Sequence, residues 1–558
     1  MRVLNRIGIL EKGVGRLILS TLLQRRCCCQ QTESSSSLQD SEVRTRFAPS
    51  PTGILHLGGL RTALYNYLFA KKHDGFFILR IEDTDRTRFH ERAMDSIWEA
   101  LNFVNLVPDE GPTDRAMKTE KGSFGPYVQS KRCPVYQKYA EKLLEEGKAY
   151  RCFCSSHRLT VIKHAAYESG VIPRYDGKCR YMSESEINER ISRREPFTLR
   201  VKLPQSMDDY EDKVHGSVPG IVDEGDFIII KSDGFPTYHF ANVVDDHLMK
   251  ITHVLRGIEW LPAVPRHLFL YQQLGFEPPE IHHLPLIANE NGQKLSKRDR
   301  HTINVSNFIE AGYSPEALLN YLTLTGGGFP ILKENEGQLK LMSLDEMCEK
   351  FQLDKIKHNS ACLDQKKLEH LSRLDLNEKW KTKGGQDFVL ATLKKHLEEY
   401  KLDEAQLADE KLMKMLEHRI RDVKTVKEFV VSPETRFLWA WEPPFESSFV
   451  SIQKQNKIID YAIEKLSQCE EPLTQQELES KLSPPDSPFY KSKLFTCIRL
   501  CLSIHKSGPR VIDMLLMLGK AESIRRLQVS VDTLRAARNE LRQESMTMKS
   551  AGAENSKT

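Results

Sequence analysis

Two short stretches of the chain carry side chains suited to handling phosphate. The first is Arg46-Phe-Ala-Pro-Ser-Pro-Thr-Gly-Ile-Leu-His56-Leu-Gly58-Gly59. Gly58 and Gly59 open a segment of helical periodicity, and a helix N-terminus offers free N–H groups and the positive end of a dipole to an anion. His56 would add a cation or a donor to the same space. The second stretch is Lys294-Leu-Ser-Lys297-Arg298, which follows Asn289-Glu-Asn-Gly292. Its basic and hydroxyl side chains could wrap a polyphosphate. A lysine ammonium is a compact point charge for oxygens that gain charge during a reaction. Each stretch alone is a modest signal, because most runs of Lys and Arg are solvated surface.

The elements around these residues must position them. Residues 43–48 read as a short strand, followed by a loop with Pro49, Pro51 and Gly53. Leu60, Leu64, Tyr67 and Leu68 then recur at helical spacing, which predicts a helix over 58–72. Residues 76–81 form an apolar run ending in charge, as a buried parallel strand does. Strand, loop, helix, strand is a βαβ unit, and it predicts a doubly wound parallel sheet. The first stretch would then sit at the carboxyl edge of that sheet, where ligands bind in such folds. Residues 86–146 read as more helical, and 150–213 as a charge-rich insertion. Strand signals at 227–231 and 252–255 predict that the sheet resumes after it. Beyond about 301 strand signals fade. Leu412, Leu416, Ile420 and Val423 share one helical face, and Ile459, Ala462, Ile463 and Leu466 share another. The final 180 residues or so therefore read as all-helical. The polar stretch 543–558 is expected to be disordered.

Composition narrows the class. The chain has 558 residues, of which 40% are hydrophobic and 28% charged, as in a multidomain soluble protein. No apolar run is long enough to span a membrane. A net charge of +4 permits a nucleic-acid partner without announcing one. Of the 12 cysteines, Cys27, Cys28 and Cys29 sit together and the rest are scattered rather than arranged as a disulfide framework, which points to a reducing compartment. Residues 1–42 differ from the rest. Up to Gln31, Arg2, Arg6, Lys12, Arg16, Arg25 and Arg26 stand against a single acid, Glu11, and the serine run 34–37 that follows is flanked by Glu33 and Asp40. Arg-rich, Ser-rich and acid-poor is the composition of an organelle transit peptide.

Taken together and in this order, the two stretches resemble the paired signatures of class I aminoacyl-tRNA synthetases. They stand here as His56-Leu-Gly-Gly59 and Lys294-Leu-Ser-Lys-Arg298. Within that class the chain resembles the glutamyl-tRNA synthetases. The matching segments are RFAPSPTGILHLGGLRTALYNYLFA from Arg46, FILRIEDTDR from Phe77, PRYDGKCR from Pro173, DFIIIKSDGFPTYHFANVVDDHLMKITHVLRGIEW from Asp226, and KLSKR from Lys294. The likeness is strong over 43–330 and looser in the helical region. Ser50-Pro-Thr-Gly53 stands where glutaminyl enzymes carry a PEPNG-type stretch, and this chain ends in helices where they end in β-barrels. It also runs more than 200 residues beyond the catalytic domain, unlike a related tRNA-modifying enzyme. Two departures are Gly59, where the class signature has histidine, and Asp299-Arg300-His301, where the family often has His-Gly-Asp.

The resemblance implies a multidomain α/β plus all-α architecture with a Rossmann-type catalytic domain. Residues 43–135 and 215–300 would form its two halves, and 136–214 an inserted tRNA acceptor-binding domain. Residues 301–375 would be a helical junction, 376–542 a helical anticodon-binding domain, and 543–558 a tail. Arg46, Phe47, Ala48, Ser50, Glu82, Tyr238, His239, Asn242 and Arg256 match the glutamate site, with the arginines on carboxylates and Glu82 on the ammonium. Thr52, Gly53, His56, Gly58, Gly59, Glu259, Trp260, Lys294, Leu295, Ser296, Lys297 and Arg298 match the ATP site. His56, Lys294 and Lys297 would carry the catalytic charge stabilisation. ATP is expected with Mg²⁺ held largely by phosphates and water. The implied partner is tRNA(Glu), and whether tRNA(Gln) is also charged stays open. Cys152, Cys154 and Cys179 resemble a zinc site of some bacterial members. Tyr181 stands where a histidine ligand is given there, and His157 or water would have to complete the set. The expectation is that this site is lost and that the protein holds no metal. A mitochondrial-matrix monomer without membrane contact is expected. A reading from another class, an inactive RNA-binding paralogue, would be expected to have lost His56, Arg256 or Lys297.

Overall fold

A computed structural model describes residues 42–554 except 86, 89, 205–206, 221–224, 289–303, 330–339, 401, 403, 405–406, 444–455, 485–486 and 506–507. Strand Arg44–Phe47 is buried along its whole length and pairs in parallel with Phe76–Leu79, from Arg44↔Phe76 to Phe47↔Leu79. The helix between them is Leu57–Lys72. Leu60, Leu64 and Leu68 on it are fully buried and join Phe77, Leu79 and Leu101 in one core. A second parallel pair joins His253–Gly257 to Glu280–Leu284. The Thr252 N–H donates to the Arg44 carbonyl at 3.0 Å, which sets this pair beside the first strand. On the other flank, Leu79 donates to the Glu110 carbonyl and Ile81 to the Tyr127 carbonyl, both at 2.9 Å. The first strand is thus central, and residues at its carboxyl end lie where neighbouring strands also end.

A central strand has no solvent for its charges. Arg44 is buried because Glu110 meets it in a two-pronged bond, Nη1–Oε1 3.1 Å and Nη2–Oε2 2.7 Å. The Tyr127 hydroxyl donates to the same Glu110 at 2.7 Å.

The insertion follows helix Cys133–Glu145 and differs from the sequence reading in its extent. Ala149–Cys152, Thr198–Val201 and Ile228–Ile230 form one antiparallel sheet. The strand signal at 227–231, expected to resume the parallel sheet, instead belongs to this one, with Leu199↔Ile230 and Arg200↔Ile228 opposed. Ile229 and Ile230 of its isoleucine run are buried in one core with Leu199, Val201, Phe240 and Leu270. A continuous apolar run carries no period that distinguishes the two sheets. The parallel sheet resumes only at His253. A hairpin, Tyr210–Asp212 with Gly216–Val218, reaches back to it, and the Tyr210 hydroxyl donates to the Ile281 carbonyl at 3.2 Å.

In the helical region Leu412, Leu416, Ile420, Val423, Ile459, Ala462 and Leu466 enter one core with Leu494, Cys497, Leu515 and Val531, and Ile463 packs against it half-buried. Past residue 301, β pairing among the described residues amounts to a short parallel pair of Ala361–Cys362 with Ile287–Ala288 and the isolated bridges Asn304–His56 and Gly327–Ile356. The Thr425 hydroxyl donates to the Ala311 carbonyl at 3.0 Å, tying the helices to the junction. The last helical stretch, Val511–Glu554, is broken at Gly519, whose φ is 77°. Its backbone stays helical to Glu554, where a disordered tail was expected from Gln543. Glu, Met, Lys and Ala propagate a helix readily once it is nucleated by packing upstream. The basic segment 1–41 lies outside the described residues. No helix among those described is long and apolar enough to cross a membrane. Leu416→Ala empties a fully buried site and should cost about 2–5 kcal/mol in a denaturation followed by circular dichroism. Phe388→Ala, at a residue 52% exposed, should change stability by less than about 0.5 kcal/mol.

Candidate active site

The loop 48–56 leaves the central strand and turns into the first helix. His56 caps that helix, its Nδ1 accepting from the Gly59 N–H at 3.2 Å. The ring proton therefore sits on Nε2. The two glycines have a steric reason beyond phosphate access. A Cβ on Gly58 would meet the His56 ring at 3.0 Å, and one on Gly59 would meet Leu55 Cδ1 at 2.6 Å. Ser50, Thr52 and Gly53 lie exposed on the same loop, with the Thr52 N–H on the Ser50 carbonyl at 2.8 Å. Beyond the segment 289–303, Asn304 bridges His56 and the Val305 N–H donates to the Leu55 carbonyl at 3.0 Å. Lys294, Leu295, Ser296, Lys297 and Arg298 lie outside the described residues. The chain that leaves them is nonetheless anchored beside His56.

Behind this loop is a buried ionic pocket. Arg46 points from the central strand to Asp246 on helix Tyr238–Leu248, with Nε–Oδ1 3.1 Å and Nη2–Oδ2 3.3 Å. Arg80 Nη1 reaches the same Asp246 Oδ1 at 2.6 Å, and its Nη2 reaches Glu82 Oε1 at 3.1 Å. The Asn242 amide fits best with its oxygen accepting from Arg80 Nη2 at 3.0 Å and its nitrogen donating to Asp246 Oδ2 at 3.3 Å. Burial pushes the Glu82 carboxyl above its ordinary pKa, against the pull of Arg80 and Arg46. Asp246 stays below its ordinary value despite complete burial, because Arg46 and Arg80 favour its charged form.

Arg256, on strand His253–Gly257, is buried differently. Its Nε donates to His283 Nε2 at 3.1 Å, its Nη1 bonds His267 Nδ1 at 3.0 Å, and its Nη2 donates to the Trp260 carbonyl at 3.4 Å. Among the described residues no carboxylate forms an ion pair with it. His267 Nε2 meets His239 Nδ1 at 3.0 Å, and His239 Nε2 meets Arg266 Nη1 at 3.1 Å. Burial, seconded by these guanidiniums, holds His239 near pKa 4 and His267 well below its ordinary value, so both are neutral. Tyr238 stacks on Trp260 with ring centroids 4.1 Å apart, and burial raises its phenol to about 12.

Among the described residues the pocket thus gathers three guanidiniums, Arg46, Arg80 and Arg256, against two carboxylates, Glu82 and Asp246. Ions out of water cost several kcal/mol each unless paired, so the arrangement favours an anion. The structure brings together Arg46, Glu82, Tyr238, His239, Asn242, Arg256 and Trp260 from the sequence reading. Ala48 is half-buried at the loop's start, and Glu259 is exposed beside Trp260. A Cβ on Gly257 would meet the Glu259 carboxylate at 2.2 Å, so glycine makes room for it. Phe47 is part of the core, 4% exposed, and contributes its backbone, which accepts from the Arg80 N–H at 3.0 Å. The sequence reading missed Arg80, Asp246, His267, His283 and Asp212. A signal existed for two of them. Arg80 and Asp246 sit inside apolar runs, and a charge there requires a buried partner.

The Cys152, Cys154 and Cys179 sulfurs all lie within 4.8 Å of one another, with Cys154 and Cys179 at 3.6 Å. His157, weighed as a fourth ligand, is exposed and outside this group. The Tyr175 hydroxyl instead lies 3.3 Å from Cys152 Sγ and 3.6 Å from Cys154 Sγ. Three thiols and a phenol in one cluster are a donor set that fits a tetrahedral ion.

Residues 42–370 match the family model "tRNA synthetases class I (E and Q), catalytic domain", and residues 389–531 match "Anticodon binding domain". The glutamate–tRNA ligase of Finegoldia magna is 37% identical over 501 residues, covering 88% of this chain and 100% of the relative. That of Chloroherpeton thalassium is 37% identical over 525 residues, covering 89% and 99%. The crystal structure of a glutamate tRNA ligase from Elizabethkingia meningosepticum in complex with its amino acid superposes with a TM-score of 0.74 at 31% identity, covering 88% of this chain and 100% of that one. The catalytic sheet, the helical domain and these full-length likenesses agree, and the chain belongs to the class I glutamate–tRNA ligases.

Proposed function

We propose that the chain attaches L-glutamate to tRNA(Glu) through a glutamyl-adenylate formed between the arginine pocket and the His56 loop. The observation that carries this is the buried Arg256 guanidinium, which has no carboxylate partner among the described residues. Arg256 and Arg46 receive the substrate carboxylates, and Glu82 receives the ammonium. The glutamate α-carboxylate attacks the α-phosphorus of ATP, and pyrophosphate leaves. The ribose hydroxyl of the terminal tRNA adenosine then attacks the mixed anhydride and displaces AMP. The first nucleophile is already an anion, so no base is needed. Positioning and charge stabilisation carry the step. His56 Nε2–H, Lys294 and Lys297 serve the phosphates, and Mg²⁺ travels with ATP. In this reading Trp260 serves the adenosine and Tyr238 the glutamate, and their stacking supports adjacent subsites. The insertion meets the acceptor end of the tRNA, and the helical region meets the anticodon.

The same reading places a monomer in the mitochondrial matrix, directed there by residues 1–42. It extends to charging tRNA(Gln) with glutamate, the setting in which a later amidation would supply glutaminyl-tRNA. Cys152, Cys154, Cys179 and Tyr175 would hold a structural Zn²⁺ in the insertion, against the expectation that the site is lost. When bound, the ion would supply cross-linking of the insertion and no reaction chemistry.

Arg256→Ala should raise the KM for glutamate in ATP–pyrophosphate exchange at least about 30-fold, the cost of losing a buried charged contact. The KM for ATP should stay within about twofold, and equal loss of both would contradict the assignment. Aminoacylation of purified mitochondrial tRNAs should give glutamyl-tRNA(Glu) and glutamyl-tRNA(Gln). Failure on tRNA(Gln) removes that extension, and failure on both with tRNA still bound points to an inactive RNA-binding paralogue. Metal analysis should find about one zinc per chain in the native protein and none in Cys179→Ser. A metal-free native protein purified without chelator would return the cluster to ordinary thiols.

A further inference from the structure

We infer that Asp212 and His283 are positioning residues for the amino-acid site: Asp212 fixes the tautomer of His283, and His283 aims the Arg256 guanidinium. This rests on the reading that Arg256 binds a glutamate carboxylate. An arginine can only donate, so His283 Nε2, 3.1 Å from Arg256 Nε, must be the unprotonated nitrogen. The ring proton then sits on Nδ1, which meets Asp212 Oδ2 at 2.5 Å. Both side chains are fully buried. Asp212 is itself fixed, because its Oδ1 accepts the N–H groups of Val214 at 2.9 Å and His215 at 2.8 Å. His215 Nε2 also lies 3.1 Å from the His283 carbonyl. The carboxylate thus comes from the hairpin of the insertion, while Arg256 and His283 lie on adjacent strands of the catalytic sheet, directly opposed in register.

The chemistry makes this chain directional. A neutral imidazole leaves Arg256 its positive charge, whereas a carboxylate in the same place would have neutralised it. Asp212 stands one residue further back, where it orders the imidazole without pairing with the guanidinium. Asparagine at 212 reverses the order. Its oxygen would take the two backbone N–H groups, and its NH₂ would face His283 Nδ1. His283 would then carry its proton on Nε2, against the Arg256 N–H, and the guanidinium would turn away. Glutamine at 283 keeps the order, since its oxygen can accept from Arg256 while its nitrogen donates to Asp212.

The test is ATP–pyrophosphate exchange on the full chain, with KM measured separately for glutamate and ATP. Asp212→Asn should raise the KM for glutamate about tenfold, the worth of one charged hydrogen bond, and leave the KM for ATP within about twofold. His283→Leu should do the same, and His283→Gln should stay within about threefold of the native value. A KM for glutamate unchanged in Asp212→Asn, or one that rises in step with that for ATP, overturns the inference. If Asp212→Asn does not fold, the His283 pair decides, and equal effects of Leu and Gln overturn it. Arg256→Ala run alongside separates the two readings. If it leaves the KM for glutamate unchanged, the assignment of Arg256 fails. If it raises that KM while the Asp212 and His283 variants do not, only the positioning role fails.

Discussion

Asp246 accepts two guanidiniums from two different strands, and the pocket is built around that fact. Arg46 lies on the central strand and Arg80 just past its neighbour, yet both bond Asp246 Oδ1, at 3.1 and 2.6 Å. None of the three side chains sees solvent to any useful extent. A buried charge left alone costs several kcal/mol, so helix Tyr238–Leu248 can dock on the sheet in only the register that puts Asp246 between the arginines. The preceding residue repeats the device. Asp245 accepts from Arg132 Nε at 2.7 Å, Gln129 Nε2 at 2.8 Å and the Tyr136 hydroxyl at 2.8 Å. Consecutive aspartates thus bind the helix both to the sheet and to the start of the insertion. With Asp246 and Glu82 committed to Arg46 and Arg80, Arg256 has only neutral hydrogen-bond partners among the described residues. The site is poised for a carboxylate because its own carboxylates are already taken.

The reactive edge follows from a different constraint, which is space. The loop from Ala48 to His56 must turn into a helix while leaving its first N–H groups accessible. His56 satisfies one of them through Nδ1, and the absence of side chains at Gly58 and Gly59 lets the His56 ring and Leu55 fold over the helix start. Asn304 and Val305 then fasten the far end of the 289–303 segment to this loop. The arginine pocket and the start of the first helix share the end of one strand, and nine residues of chain separate Arg46 from His56.

Much of this was legible in the residues. The period of Leu60, Leu64 and Leu68, the apolar run at 76–81 and the loop between them specify the βαβ unit, and the structure differs by one or two residues at its edges. The order of the two signature stretches specified the family, and Arg46, Glu82, Asn242 and Arg256 fall into one pocket. The strand at Ile228–Ile230 was misassigned because a fully apolar run reads alike in either sheet. Asp212, His267 and His283 were invisible for another reason. Their meaning lies in contacts across tens of residues, such as His283 to Asp212 at a separation of 71, and single histidines carry no spacing signal. The thiol cluster sits between these cases. Cys152 and Cys154 drew notice by spacing, but Tyr175 as the neighbour of both could only come from the folded chain.

The role proposed for Arg256 is to receive glutamate on the excess positive charge it brings to the pocket. A crystal structure of the full chain with bound glutamate tests it most directly. The expected result is a glutamate carboxylate on the Arg256 guanidinium, with Asp246 still holding Arg46 and Arg80. A glutamate bound with both carboxylates away from Arg256, or Asp246 released to make room, would contradict it.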